Sequence, residues 1–320
     1  MTRVPYDSEV QPVAEWFMAT YGPTMPAEVV PMARAAFEQQ RLARGLDELV
    51  AGRPVSVTNV EVPGDETGPA SEITIFSPES TSKRNAVFYI HGGGMVMGHR
   101  LDGAEEFITM AEQLQVPVIA VAYRLAPENP FPAAADDVRR TWLWVVEHAA
   151  ELGVDADGLL LVGASSGGGL AAGLALRLRD EKQQAPLAVG LLSPMLDDRN
   201  DSVSSRDYDG TSIWDRRSNL MAWDAYLGAE RSAVSPYAAP ARAADLSGLP
   251  PTFLEVGSSE VFRDEVTDFA SRLWATGNQA ELHVWAGGFH GFSGFAPEAR
   301  VSVASLAARA DWLRRILAHR

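Results

Sequence analysis

Residues 159–169 read LLLVGASSGGG: four apolar residues, then two serines, Ser165 and Ser166, set among glycines. An apolar run that breaks into glycines marks a strand that ends in a tight turn. Three structures fit such a turn: a phosphate-cradling loop, a nucleophile carried on a strand-to-helix bend, or a plain structural turn. A Walker-type loop starting at Gly163 needs lysine after Gly168, where Gly169 stands. The dinucleotide pattern fails too, because starts at Gly167 and Gly92 place Ala172 and Met97 at the last glycine. Gly163, Ser165 and Gly167 instead match G-x-S-x-G, in which the flanking chain passes too close to the turn to tolerate a Cβ. That spacing is common by chance, so its meaning depends on the partners available elsewhere.

Working outward, short apolar runs recur at 86–90, 116–122, 159–162, 188–192, 252–256 and 282–285. Runs without alternation predict parallel strands covered on both faces. Helical patterns are predicted between them at 102–114, 133–152, 167–181, 259–276 and 298–318. Two alternating stretches, Val55 to Val62 and Ile73 to Phe76, predict antiparallel strands ahead of this series. The first fifty residues read as helical. This order predicts a three-layer α/β fold. Some sixty residues separate the runs at 188–192 and 252–256, more than one crossover needs, and excursions of that size commonly form lids or binding elements.

Composition narrows the function. A formal net charge of -15, with Lys83 and Lys182 the only lysines, disfavours nucleic acid and anionic membranes. With no cysteine, thiolate chemistry and cysteine metal sites are excluded. The N-terminus lacks a signal-like apolar core and no run of about 18 apolar residues occurs, so a cytoplasmic protein without membrane attachment is expected.

Partners for Ser165 do exist. His91-Gly92-Gly93-Gly94 follows the run at 86–90, and consecutive glycines let backbone N–H groups converge on one oxygen, the requirement for an oxyanion hole. Of the six histidines, His148 and His319 fall in predicted helices and His283 in a strand. His290 sits in the glycine-rich loop GGFHGF after the last strand, downstream of the serine and of every acid candidate. For an acid that orients the imidazole, the loop after 252–256 offers Glu260, Asp264 and Glu265, and the earlier SPMLDD offers Asp197 and Asp198.

Together, YIHGGGMVMG (89–98), YRLAPENPFPAAADD (123–137), GASSGGG, PMLDDR (194–199), the stretch 235–265 and FHGF (289–292) resemble the hormone-sensitive-lipase-like family of α/β-hydrolases, the bacterial HGGG-motif carboxylesterases. The resemblance implies an α/β-hydrolase fold, with a mostly parallel eight-stranded sheet flanked by helices and a helical cap. Residues 1–50 would form a first cap segment on a core of 51–320, with a second cap segment at about 200–230. Carried over by position, it implies Ser165 as nucleophile, His290 as base and then acid, and Glu260 as the third member. Backbone N–H groups of Gly93, Gly94 and Ser166 would be the oxyanion donors, with His91 and the segment from Tyr123 as supports of that loop.

Two departures stand out: Ala164 and Ser166 replace the acid and alanine usual at those positions, and Glu260 replaces the usual aspartate. The substrate class implied is small carboxylic esters with acyl chains of short to medium length. No metal or organic cofactor is implied, and a homodimer is expected because relatives often pair through the last strand and helix. Lactone or amide hydrolysis and acyl transfer would use the same residues. A non-catalytic receptor-like member would lack the base, which is present here as His290. Trp16, Phe17, Trp214, Trp223 and Tyr226 are candidate pocket walls, or aromatics that merely hold the cap together.

Overall fold

The computed structural model describes residues 3–43, 45–81, 84–228 and 231–318; His319 lies outside them. Its strands are β1 (Val55–Val62), β2 (Ser71–Pro78), β3 (Ala86–Ile90), β4 (Val118–Val121), β5 (Leu159–Ala164), β6 (Ala188–Leu192), β7 (Thr252–Gly257) and β8 (Ala280–Trp285). They form one eight-stranded sheet in the order β1-β2-β4-β3-β5-β6-β7-β8. β2 runs antiparallel to both its neighbours, β1 and β4; every other pairing, from β4 to β8, is parallel.

The helices are α1 (Gln11–Tyr21), α2 (Val30–Ala43), α3 (Leu46–Val50), α4 (Ala104–Leu114), α5 (Ala133–Glu147), α6 (Ser166–Asp180), α7 (Val203–Asp207), α8 (Arg216–Leu227), α9 (Arg263–Ala275), α10 (Phe292–Phe295) and α11 (Arg300–Ala318). Strand pleating explains the unbroken apolar runs. In β3, Phe88 and Ile90 face the layer containing α5, α6 and α9, whereas Val87 and Tyr89 face α4 and α11. In β5, Leu159 and Leu161 take the first side, Leu160 and Val162 the second. Each buried side chain of this size contributes about 1.5–3 kcal/mol by leaving water. A one-residue slip would exchange the faces without exposing either, so register rests on the turns as well. At the sheet's edge β8 is only partly covered, with Val284 exposed, although its apolar run predicted full burial. The reason is positional: a single neighbour, β7, flanks it.

Two elements from outside the strand–helix alternation pack together. Asp215 caps α8, accepting from Ser218 N at 2.9 Å, and its other oxygen accepts from the Thr24 hydroxyl at 2.9 Å. Met25 N donates to Ser218 Oγ at 2.8 Å. The link between α1 and α2 is thereby fastened to the start of α8. No helix among the described residues is long and apolar enough to cross a membrane.

Candidate active site

At the end of β5 the chain turns directly into α6 through Ser165, whose φ of 55° and ψ of -122° lie where few L-residues are found. The turn is held on both sides. Ser165 N donates to Leu192 O at 2.8 Å, and Ser165 O accepts from Met195 N at 2.9 Å and Gly169 N at 3.1 Å. The flanking glycines are dictated by crowding. A Cβ at Gly163 would lie 2.2 Å from Gly167 O, and one at Gly167 would lie 2.2 Å from Ile90 O. Such strain persists only where the surroundings over-determine it, which is common at reactive positions. It leaves the Ser165 side chain at the carboxyl edge of the sheet, beside the first turn of α6.

His290 and Glu260 meet it there. His290 Nε2 stands 3.0 Å from Ser165 Oγ, and His290 Nδ1 stands 2.5 Å from Glu260 Oε2. Glu260 is fully buried. Its second oxygen, Oε1, accepts from Gly257 N at 2.8 Å and from the Ser193 hydroxyl at 3.0 Å. A buried carboxylate needs such donors, because a bare charge there would be costly. The ring of His290 is also held edge-on by Phe262, at a centroid distance of 5.0 Å.

The competing acids are engaged elsewhere. Asp197 pairs with Arg199 at 2.7 Å, and buried Asp198 pairs with Arg242 at 2.7 Å. Asp264 opens α9, bound to Arg263 and to Ser204 N at 2.7 Å each. Glu265 accepts from Leu196 N at 2.7 Å, and burial pushes its carboxyl well above the usual range. α9 starts at Arg263, later than the 259 that the sequence pattern predicts, so Glu260 lies in the loop before it.

The loop after β3 completes the site. Gly93 and Gly94 have φ of 113° and 62°. A Cβ on Gly93 would fall 2.2 Å from Met97 O, so the loop closes only with glycine there. Among the described residues, the backbone N–H groups of Gly93, Gly94 and Ser166 find no acceptor within the chain. Beneath them His91 stacks on Tyr123 at 4.2 Å, its Nδ1–H donating to Gly92 O at 2.8 Å. The Tyr123 hydroxyl donates to His91 O at 2.9 Å. Burial depresses the His91 pKa to about 4, so this imidazole is a neutral support. The Ser166 hydroxyl is buried near the Tyr123 hydroxyl without a well-formed hydrogen bond.

Residues 87–294 match the model of the alpha/beta hydrolase fold family. The chain belongs to that family. Among its relatives, the carboxylesterase NlhH of Mycobacterium tuberculosis is 31% identical over 90% of either chain. The ethyl acetate hydrolase of Pseudomonas putida is 29% identical, over 83% of this chain and 86% of its own. The solved structure of a bacterial heroin esterase superposes with a TM-score of 0.91 at 34% identity, covering 99% of both chains.

Within this α/β hydrolase, the aromatic wall candidates differ in their surroundings. Trp223 and Tyr226 are fully buried in the main core cluster, to which Trp214 also belongs. Trp16 is exposed, and Phe17 packs on Tyr21 and Phe295. Trp214 lies against the glycine loop after β3: a Cβ on Gly94 would lie 2.7 Å from its Cη2 atom. Sequence reading missed Ser193 and Gly257, the donors to Glu260; the signal available was that Ser193 directly follows β6, the neighbour of Ser165's strand, and Gly257 ends β7, one strand further along. No group of three or more metal-ligating side chains occurs among the described residues.

Proposed function

We propose that this protein is a carboxylesterase that works through Ser165, His290 and Glu260 and a covalent acyl-enzyme. The carrying observation is the continuous chain from Glu260 Oε2 to His290 Nδ1 and from His290 Nε2 to Ser165 Oγ, with distances of 2.5 and 3.0 Å. His290 Nε2 takes the Ser165 proton as Oγ attacks the ester carbonyl. Glu260 keeps Nδ1 protonated, aims the ring and offsets the imidazolium charge. The carbonyl oxygen, now negative, sits among the free N–H groups of Gly93, Gly94 and Ser166, at the positive end of α6. Each such donor typically lowers the barrier by about 3 kcal/mol. His290 then gives its proton to the departing alkoxide, which leaves as the alcohol. A water molecule enters, loses a proton to His290 and attacks the acyl carbon. Return of that proton to Ser165 Oγ releases the carboxylic acid.

Residues 1–50 and the excursion at about 200–230 act as a two-part cap in this reading, supported by the fastening of Thr24 and Met25 to the start of α8. The preferred acyl chains are short to medium, about two to eight carbons, because the Trp214 indole closes the space beside Gly94. Relatives named as an ethyl acetate hydrolase and as a carboxylesterase support the same class. The test is a hydrolysis panel of aryl esters from acetyl to dodecanoyl, with lactones and anilides alongside. Fastest turnover of the shorter esters is expected. A preference for lactones or anilides would move the reading to another acyl chemistry on the same residues.

A further inference from the structure

The oxyanion loop lies far from any regular conformation. Gly93, Gly94, Met95 and Gly98 all have positive φ, and for Met95, at 61°, this costs energy that glycine would not incur. Within the loop, Val96 N and Met97 N donate to Gly93 O at 3.1 and 3.0 Å. From the loop after β4, Ala126 N donates to Met95 O at 2.9 Å. A further hold comes from a residue far away in sequence. Arg34 of α2 donates through Nε to Val96 O and through Nη2 to Ala126 O, both at 2.7 Å. Glu128 steadies the outer edge of the same guanidinium, accepting at 2.8 and 3.0 Å.

We propose that Arg34 is a positioning residue for the oxyanion hole. One planar fork ties the loop carrying Gly93 and Gly94 to the loop carrying Ala126, and so sets where the two glycine N–H groups point. Because those donors act mainly on charge that develops in the transition state, a displaced loop costs turnover more than substrate binding. A misplacement of about 1 Å in a site of this kind can cost about 100-fold in rate. Lysine cannot replace the fork, since a point charge has no fixed geometry for two carbonyls at once. The N-terminal segment thereby becomes part of the catalytic geometry as well as a cover over it. This proposal rests on the ester-hydrolase reading above.

The experiment compares wild type, Arg34→Ala and Arg34→Lys for kcat, KM and Tm on one short-chain aryl ester, with and without millimolar guanidinium ion. Arg34→Ala is expected to lose roughly 10- to 100-fold in kcat with KM within about threefold of wild type. Arg34→Lys should recover only part of that loss. Guanidinium should raise the kcat of Arg34→Ala and leave wild type unchanged. An Arg34→Ala enzyme with full kcat would overturn the proposal. So would one whose kcat, KM and Tm all deteriorate together without guanidinium rescue, since that marks a purely structural staple. A wild-type protein inert toward every ester would overturn the ester-hydrolase reading instead.

Discussion

Glu260 Oε2 lies 2.5 Å from His290 Nδ1 although thirty residues separate them in sequence, and the carboxylate is shut away from solvent. The contact joins the loop after β7 to the loop after β8, and two further donors, Gly257 N and Ser193 Oγ, occupy the other carboxylate oxygen. Three donors thus hold the carboxylate in place, and it in turn orients the imidazole.

Glu260→Gln is expected to preserve the fold while lowering kcat by about 10²–10⁴, because a neutral amide neither fixes the tautomer nor balances an imidazolium. Asp197→Asn and Asp264→Asn should each cost less than about tenfold. Asp198→Asn loosens a buried pair with Arg242 and is expected to lower Tm more than kcat. Measuring kcat and Tm for all four variants checks the assignment, and a folded, inactive Asp197→Asn or Asp198→Asn beside an active Glu260→Gln would reassign the acid.

Stability should fall as the solution is acidified from about pH 6.5 to pH 4. His91 has a folded pKa of about 4, depressed by burial, against an ordinary value of 6.5. In that interval the unfolded chain binds the proton and the folded chain does not, so protonation favours unfolding. The shift corresponds to about 3 kcal/mol, present above pH 6.5 and progressively lost below it. His99, also lowered to about 4 by burial and then by Arg41 and Arg100, acts in the same direction. Glu265, raised by burial, acts oppositely and is common to any pair of variants compared. Denaturant titrations of wild type and His91→Asn at several pH values should show the smaller slope in the variant; equal slopes would mean that His91 is not buried neutral.

Trp214→Ala should move the acyl preference upward by several carbons. The indole fills the space beside Gly94, and its Nε1–H is held by Asn219 Oδ1 at 3.3 Å, so the ring is not free to swing away. Removing it opens room for a longer chain at some loss of stability, typically about 3–5 kcal/mol for a buried tryptophan. The ratio of kcat/KM for dodecanoyl and butanoyl esters is the readout; an unchanged ratio would place the acyl chain elsewhere.

Much of this was legible in the sequence, for a local reason. The bounds of β3 and β6 coincide with the apolar runs at 86–90 and 188–192, because strands covered on both faces have no polar position to blur their ends. The elbow at Ser165 announces itself through glycines required by contacts within a few residues, or with the neighbouring strand end at Ile90. What stayed hidden depends on tertiary distance. Arg34 lies 62 residues from Val96 and 92 from Ala126, and an arginine on a surface helix carries no mark of its target. Trp223 and Tyr226 read like Trp214 in sequence, and all three are buried in one core cluster, yet it is Trp214, just ahead of α8, whose ring edge crowds Gly94.

The most direct test of the central claim is covalent labelling. Wild type, Ser165→Ala and Ser166→Ala are treated with an aryl organophosphate, their intact masses are recorded, the adduct is mapped by peptide mass spectrometry, and ester hydrolysis is assayed on the same samples. Wild type and Ser166→Ala are expected to gain one adduct on Ser165 and lose activity in proportion, since the backbone donor of residue 166 survives that change. Ser165→Ala is expected to hydrolyse no ester and gain no adduct. An adduct on Ser166, or continued hydrolysis by Ser165→Ala, would contradict the account.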